Sequence, residues 1–161
     1  MVVAIGGNLA GDFDSCEALL TAALDRFAAH GLTVTARSAW WRSAAWPDAS
    51  APAFINGVAL VETALDPDGV LAALHAIERE FGRERGETNA PRTLDLDLVA
   101  FGRRVVDEPG LTLPHPRAHQ RLFVMGPLAQ VAPDWKHPVY GGTARMMAAG
   151  ATVGRDAVPT F

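Results

Sequence analysis

Two aspartates stand two residues apart in the strongly apolar stretch PRTLDLDLV. Residues two apart point about 200° away from each other on a helix, but on a strand they share one face, roughly 6.5–7 Å apart. Leu94, Leu96 and Leu98 alternate with the aspartates, which predicts a strand. One face of that strand packs, and the other presents the carboxylates of Asp95 and Asp97. Paired carboxylate oxygens suit Mg²⁺, which completes its shell with water and phosphate oxygens.

Three arginines precede or enter this strand, at Arg83, Arg85 and Arg92. Carboxylates for a metal together with arginines for phosphates are typical of phosphoryl transfer. The alternative is an exposed edge strand whose polar face is acidic and binds nothing. The GGN that follows the first apolar run matches neither a Walker loop nor a dinucleotide fingerprint, so we interpret its glycines as a turn. Side chains and metal would then have to hold a nucleotide.

A second polar cluster places His115, Arg117, His119 and Arg121 within seven residues. Two histidines without a third nitrogen or thiolate ligand indicate zinc only weakly. A phosphate-facing cluster is the better functional interpretation, and a solvated, proline-rich loop is the alternative.

Aromatic side chains flank an amide in the first half of the chain. Trp46 lies in a loop, and Phe54 and Asn56 open an apolar run. An aromatic face beside an asparagine suits a flat heterocycle with hydrogen-bonding edges, whereas core packing explains most aromatic residues. Glu78 and Glu80 also allow either a functional or a structural interpretation. With the arginines that follow, they fit surface ion pairs at a helix end.

The elements that must position these residues follow from periodicity and from capping signals. The pattern predicts strands at 2–5, 32–41, 54–63 and 92–101, a helix capped by Asp14 or Ser15 and stopped by Gly31, a second helix from Pro67 to Gly82, and a third over 121–132. Segment 44–53 is predicted to be a loop, and 103–107 is predicted to fold back beside the fourth strand. The order βαββαβ predicts an α+β fold with a ferredoxin-like core, a mainly antiparallel sheet and extra C-terminal elements.

Composition excludes several classes of protein. At 161 residues the chain is predicted to form one domain, 1–161, with a net charge of −4 that does not suit nucleic acid. Cys16 is the single cysteine, so an intramolecular disulfide is impossible. Apolar runs stay below the roughly 18 residues that a membrane span needs. The start MVVAIGGNL lacks the basic region of a signal peptide, so we expect a cytoplasmic protein.

Several stretches together resemble one family. APRTLDLDLVAFG resembles the signature of the 6-hydroxymethyl-7,8-dihydropterin pyrophosphokinases, and AIGGNL, FINGVALVET, IEREFGRER and LPHPRAHQRLFVMGPL resemble further segments of that family in the same order. The resemblance implies transfer of pyrophosphate from ATP to the pterin hydroxymethyl group in folate biosynthesis, with release of AMP. It also implies two Mg²⁺ ions as cofactors, small-molecule substrates as the only partners, and, we expect, a monomer.

The resemblance assigns a role to each matching position. Asp95 and Asp97 match the metal-binding aspartates, and they are the expected catalytic residues together with Arg83 and Arg92. The matching ATP contacts are Glu78, Arg83, Arg85, Arg92, His115 and Arg121. The matching pterin contacts are Ser43, Ala44, Trp46, Phe54, Asn56 and Phe123.

The chain also departs from the family pattern. Gly7 replaces a usual serine, Thr88 and Asn89 replace a basic and an aromatic residue, and Ala44-Ala45 stands where prolines are usual. We therefore expect a more mobile pterin loop and changed closure over the substrates. A catalytically degenerate or regulatory ferredoxin-like binding module is the rival hypothesis.

Overall fold

The computed structural model describes residues 1–45, 47–82 and 93–160. Within these ranges helices combine with a mainly antiparallel sheet, so the predicted α+β class is confirmed. The strands are β1 Val2–Gly7, β2 Thr33–Arg37, β3 Trp41–Ser43, β4 Phe54–Glu62, β5 Asp95–Ala100, β6 Val106–Glu108, β7 Leu111–Leu113 and β8 Val158–Pro159. The α-helices are α1 Cys16–Asp25, α2 Pro67–Glu80, α3 Leu122–Val131 and α4 Ala144–Ala149, with 3₁₀ turns at Ala28–His30 and Ala118–Gln120.

The main sheet has the order β5-β1-β4, with both β2 and β3 paired to β4 and with β8 paired to β3. Every one of these pairs is antiparallel. One face of β1, which carries Val3 and Ile5, packs in a cluster with α1 and α2. The opposite face, which carries Val2 and Ala4, packs against α3. The sheet therefore separates two apolar layers. The acidic pair, described below, lies on the face that packs against α3.

Two predicted helix starts are confirmed by their caps. Ser15, rather than Asp14, begins α1, because its side chain accepts a hydrogen bond from the backbone N–H of Ala18. Asp66 caps α2 through the N–H of Gly69, with Pro67 at the start of the helix. The first helix ends earlier than predicted, at Asp25, and Gly31 instead ends the following 3₁₀ turn with a φ of 78°.

The predicted strand 32–41 is two strands. Its alternation holds in β2, but the chain leaves the sheet at Ser38, whose hydroxyl accepts the N–H of Val58 at 3.0 Å. The ring of Trp40 then lies against Gly57, where a Cβ would come within 2.7 Å of the ring. The bond from Val58, which is 20 residues away in the chain, and this close approach of Trp40 accompany the break in the strand, which periodicity alone does not reveal.

Two further sequence interpretations are wrong. Gly6 and Gly7 do not form a turn, because both lie inside β1. Segment 103–107 does not pair with β5, since β6 pairs with β7 in a separate two-stranded sheet. A turn with a positive φ at Gly102 carries the chain away from the end of β5.

The predicted loop at 44–53 forms neither helix nor strand in its described residues. Among all described residues, no helix is both long enough and apolar enough to cross a membrane. The C-terminal segment, which the sequence leaves unassigned, forms α4 and β8.

Candidate active site

Strand β5 presents the acidic pair as the alternation predicts. Leu94, Leu96 and Leu98 are buried, whereas Asp95 and Asp97 are half-buried on the other face. This division leaves the two carboxylates on the same side of the sheet and within reach of one ligand.

Small residues of β1 lie next to the acidic pair. Asp97 pairs with Ala4, and Asp95 pairs with Gly6, which in turn pairs with Asn56 of β4. Directly opposed residues in an antiparallel sheet share a face, so the carboxylates and the amide lie on the α3 side. A Cβ on Gly6 would overlap the Asn56 amide. The glycine that we first interpreted as part of a turn therefore makes room for Asn56.

The outer edge of β5 is closed at its centre by Glu78 of α2. One carboxylate oxygen, Oε2, accepts the backbone N–H of Leu96 at 3.0 Å, and Leu96 lies between the two aspartates. Nearer the strand's entry, the Thr93 hydroxyl donates to the carbonyl of Phe81 at 2.8 Å. Only 5% of its surface is exposed, so Glu78 is a buried carboxylate rather than a surface residue. It anchors the strand that carries the acidic pair.

Glu80 forms surface ion pairs with two residues of the first helical segment, whereas Arg83 and Arg85, the partners that the sequence suggested, lie outside the described residues. Its carboxylate contacts Arg26 at 2.8 Å and His30 at 2.7 Å. These hydrogen bonds, first from Arg26 and then from His30, lower the pKa of Glu80 to about 2. These contacts join the end of α2 to the end of the first helical segment.

A β-bulge brings His115 to the same strand. Val2 pairs with Ala100 but Val3 pairs with Leu98, so Val99 is an extra residue in β5. The carbonyl of Val99 accepts the backbone N–H of His115 at 2.8 Å. The bulge thus provides the acceptor that fixes the histidine beside the acidic pair.

The His115 ring is neutral at physiological pH. Burial, followed by repulsion from Arg121 and Arg117, lowers its pKa to about 4, although Asp95 opposes the shift. Its Nδ1 accepts the N–H of Arg117 at 3.1 Å. A neutral ring that accepts at Nδ1 carries its proton on Nε2. His115 is therefore a hydrogen-bond donor rather than a cation.

Arg121 lies at the start of α3, and its positive charge interacts with the charges of both aspartates. Burial lowers the pKa of Arg121, and Asp97 and Asp95 oppose this shift by favouring the cation. Its guanidinium carbon lies 5.7 Å from the centre of the Phe123 ring. The residue therefore connects the acidic strand with the aromatic side of the site.

A pocket of about 270 Å³ opens beside Asp97 and His115. Its remaining walls come from α2, β5 and the turn and strand around β7: Leu71, His75, Leu96, Leu98, Gly110, Leu111, Thr112 and Pro116. Sequence reasoning missed this pocket, because its walls come from three distant segments. Most of these walls are apolar or turn residues of ordinary type, and His75 and Thr112 are the polar exceptions.

The predicted pterin residues form the other end of the proposed site, and most of them lie across β1 from the acidic pair. Ser43 pairs with Phe54, and Asn56 pairs with Trp41, across β3 and β4. The half-buried Phe123 lies in the first turn of α3. Ala44 follows β3 directly and is exposed. Apart from Trp46, the predicted pterin residues thus occupy two adjacent strands and the start of α3.

Asn8 is a further residue of this end that sequence reasoning passed over. It is buried, and its side-chain amide donates to the carbonyl of Pro52 at 3.1 Å. This bond ties the residues after β1 to the end of loop 44–53. An asparagine directly after an apolar, strand-like run was the available signal in the sequence.

Four predicted site residues, Trp46, Arg83, Arg85 and Arg92, lie outside the described residues, as do Thr88 and Asn89. Within the described part, no three histidine, cysteine or acidic side chains form a group able to hold a metal ion. A metal there would depend on the two aspartates and on oxygens from a substrate or water. That donor set fits Mg²⁺, which usually takes one or two protein carboxylates.

Paired carboxylates, a nearby arginine and a histidine donor beside a pocket are the set of groups expected of an enzyme that handles phosphate compounds. The sequence model of the 7,8-dihydro-6-hydroxymethylpterin-pyrophosphokinase (HPPK) family matches residues 2–133. The chain belongs to this family.

Curated relatives agree with this assignment. A 2-amino-4-hydroxy-6-hydroxymethyldihydropteridine pyrophosphokinase of Synechocystis is 41% identical over 142 residues, which cover 88% of this chain and 71% of the relative. The enzyme of the same name from Pseudomonas aeruginosa is 43% identical over 84% of this chain and 82% of its own length. The folic acid synthesis protein fol1 of Pneumocystis carinii is 37% identical over 74% of this chain, but over only 16% of its own length. The chain is a pyrophosphokinase of folate biosynthesis.

Proposed function

We propose that the protein transfers the β,γ-pyrophosphoryl group of ATP to the hydroxymethyl oxygen of 6-hydroxymethyl-7,8-dihydropterin. A bond forms between that oxygen and the β-phosphorus, and the bond from this phosphorus to the oxygen retained by AMP breaks. The hydroxyl proton is released. The observation that carries the proposal is the acidic pair of Asp95 and Asp97 on one face of β5, beside Arg121 and His115.

Asp95 and Asp97 are the residues that would hold Mg²⁺. Bound there with ATP, two Mg²⁺ ions would neutralise phosphate charge and polarise the phosphoryl oxygens. The protein's own contribution is to fix both carboxylates on a strand whose edge is held by Glu78 at the intervening Leu96. Positioning and electrostatics, rather than a covalent enzyme intermediate, would lower the barrier.

Arg121 and His115 would contact the phosphates. Arg121 supplies a cation, and His115 supplies an Nε2–H donor because its Nδ1 is occupied by the Arg117 N–H. Arg83, Arg85 and Arg92 remain predicted phosphate contacts. The resemblance assigns Glu78 to the ATP site, but we propose that it acts there through the strand, given its burial and its bond to Leu96.

The pocket next to Asp97 and His115 is our candidate for the nucleoside of ATP. Leu71 and Leu98 give it apolar walls, and Thr112 adds a polar group. A nucleoside seated there would place its phosphates towards the acidic pair, since Asp97 lines the same pocket. Phe54, Asn56 and Phe123, with Ser43, Ala44 and Trp46, would bind the pterin across the sheet. This arrangement separates the two substrates around the reacting phosphate.

We also propose the ferredoxin-like arrangement for the core. The strand order β5-β1-β4, with β2 and β3 together forming the next position, supports it because all neighbours are antiparallel. On this proposal residues 1–161 form one pyrophosphokinase domain that acts as a cytoplasmic monomer, without nucleic-acid or membrane partners.

Nucleotide product analysis tests the reaction. Purified protein is incubated with ATP, Mg²⁺ and the pterin alcohol, and omission of each component serves as the control. We expect AMP and the pterin pyrophosphate only when all three are present. Formation of ADP would indicate single phosphoryl transfer instead, and absence of turnover by folded protein would favour the degenerate or regulatory binding module.

A further inference from the structure

The C-terminal segment 150–160 lies beyond the residues that the family model matches, yet it contacts the proposed pterin subsite repeatedly. Strand β8 pairs with β3 and places Pro159 opposite Trp41 and Val158 opposite Arg42. Thr160 adds two bonds to the carbonyl of Trp40, at 2.8 Å from its N–H and 3.0 Å from its hydroxyl. The segment thus extends the sheet at the strand that leads into Ser43 and Ala44.

The same segment supports the aromatic residue on α3. Gly154 has a φ of +67°, and a Cβ there would overlap the Phe123 ring. One residue earlier, the carbonyl of Val153 accepts the N–H of Leu122 at 2.9 Å. The ring of Phe123 therefore rests against the backbone of the C-terminal segment.

A charged side chain joins the segment to the pterin loop. One oxygen of the Asp156 carboxylate, Oδ2, accepts the backbone N–H of Ala44 at 2.7 Å. Ala44 is the first residue after β3, and Ser43 before it is 6% exposed and paired with Phe54. A hydrogen bond to a carboxylate is stronger than one between neutral groups. Asp156 therefore fixes the point where the loop leaves the sheet.

We propose that Asp156 is a positioning residue of the pterin subsite, whose carboxylate holds Ala44 and with it the start of loop 44–53. This inference rests on the proposed function. The alanines at 44 and 45 led us to expect a mobile loop, and Asp156 instead restrains the first of them from a segment more than 100 residues away in the chain. Its substitution weakens pterin binding without changing the chemistry on β5.

The test is a double-mutant cycle with Asp156→Ala and Ala44→Pro. Proline removes the N–H that Asp156 accepts, and the extended Ser43 before it suits proline sterically. We expect Asp156→Ala to raise the KM for the pterin about three- to tenfold, the range for one hydrogen bond. The KM for ATP and kcat at saturating pterin stay within about twofold. In the Ala44→Pro background, Asp156→Ala has no further effect, because the donor is already absent.

Two variants complete the cycle. Asp156→Asn retains an acceptor oxygen and should keep most of the wild-type KM for pterin, which separates positioning from loss of folding. Asp134→Ala is the matched control, since this aspartate is 87% exposed, lies outside the C-terminal segment and has its carboxylate 3.8 Å from the Arg145 guanidinium. An unchanged pterin KM in Asp156→Ala, or an equal loss with and without Ala44→Pro, overturns the proposal.

Hydrogen–deuterium exchange separates this proposal from the proposed reaction. We expect faster exchange of the amide of Ala44 in Asp156→Ala than in wild type or Asp134→Ala, whether or not pyrophosphate is transferred. Wild-type protein without turnover refutes the reaction, whereas unchanged exchange refutes the restraint by Asp156. Active wild-type protein with accelerated exchange but an unaltered pterin KM refutes its role in pterin binding.

Discussion

The two ends of the proposed site are built differently. Asp95 and Asp97 stand on a single strand whose edge is held by the Glu78 carboxylate and by the backbone of His115. The pterin end instead gathers short segments that are remote in sequence, namely β3, the start of β4, the first turn of α3 and the C-terminal residues after 150. The first end depends on one strand's periodicity, and the second depends on long-range contacts.

This difference has consequences for function. A rigid strand suits groups that must hold phosphate oxygens within a narrow range of positions. A pocket assembled from several segments suits recognition of a flat ring, and its binding strength depends on how each segment is supported. Changes on β5 should therefore lower kcat, and changes at the pterin end should mainly raise the KM for pterin.

The largest effect is expected from the acidic pair. Asp95→Ala or Asp97→Ala should reduce turnover by about 10³-fold or more, because several kcal/mol of charge stabilisation are lost. The thermal unfolding transition should remain, since both side chains are only half-buried. Steady-state rates and thermal melts measure this, with the exposed Asp107→Ala as control. Near-normal activity in either variant would remove the proposed metal role.

Arg121→Ala should come next, with a loss of roughly 10²-fold in kcat, as for removal of one transition-state donor. The arginine lies close enough to both aspartates for their charges to oppose the fall of its pKa. Arg145→Ala is the matched control, because that side chain is 70% exposed and its guanidinium lies 3.8 Å from the exposed Asp134. Equal rates for the two variants would place Arg121 outside the reaction.

Glu78→Ala should lower kcat by roughly tenfold to 10²-fold, because the strand loses its anchor between the aspartates. It should also reduce the free energy of unfolding by about 1–3 kcal/mol, since the N–H of Leu96 is left buried without its acceptor. Glu78→Gln keeps an acceptor oxygen, so its kcat and its free energy of unfolding should lie between those of wild type and Glu78→Ala. Denaturant unfolding and kinetics test both effects. A stability loss without any change in kcat would show that the anchor does not serve catalysis.

Gly6→Ala tests the pterin end of the site, where we expect a change in the KM for pterin rather than in kcat. The added Cβ overlaps the Asn56 amide, so we expect the KM for pterin to rise about tenfold, equivalent to roughly 1.4 kcal/mol. Gly150→Ala is the control, because its Cβ would meet its nearest neighbour at an ordinary 3.6 Å. A fall in kcat with an unchanged pterin KM would mean that Gly6 serves the neighbouring Asp95 rather than Asn56.

The smallest effect is expected at Glu80, whose partners Arg26 and His30 belong to neither end of the proposed site. Its folded-state pKa of about 2 lies below its ordinary 4.5, so its pairing stabilises the fold above pH 4.5 and this stabilisation is lost as the pH falls towards 2. Glu80→Gln should therefore be slightly less stable than wild type at pH 7, with the difference vanishing towards pH 2. Denaturant unfolding across this pH range measures it. A pH-independent difference would assign the effect to packing, and kcat should not change.

Much of the acidic end was predictable from the sequence. The alternation of leucine with aspartate identifies both the strand and its polar face, and Asp66-Pro67 identifies the start of α2. The donor His115 and the cation Arg121 could also be recognised as candidates, because both lie within one short polar segment. These features depend on neighbours in the chain, which periodicity and capping rules describe.

The features that could not be predicted depend on contacts between distant residues. The sequence alone suggests a turn at Gly6, and only the contact with Asn56 explains the glycine. The sequence likewise allows Glu78 on the surface, and only its hydrogen bond from the N–H of Leu96 shows its structural role. The break at Ser38 requires its bond to Val58. The role of Asp156 requires the C-terminal segment to return to β3. No local pattern contains these partners.

Calorimetric binding of α,β-methylene ATP, which blocks cleavage at the bond that reacts, tests the central claim most directly. Wild-type protein and the Asp95→Asn/Asp97→Asn double variant are titrated with and without Mg²⁺. If the acidic pair is the metal and nucleotide site, Mg²⁺ strengthens binding to wild type and has no effect on binding to the variant. An equal response to Mg²⁺ in both proteins would contradict the account.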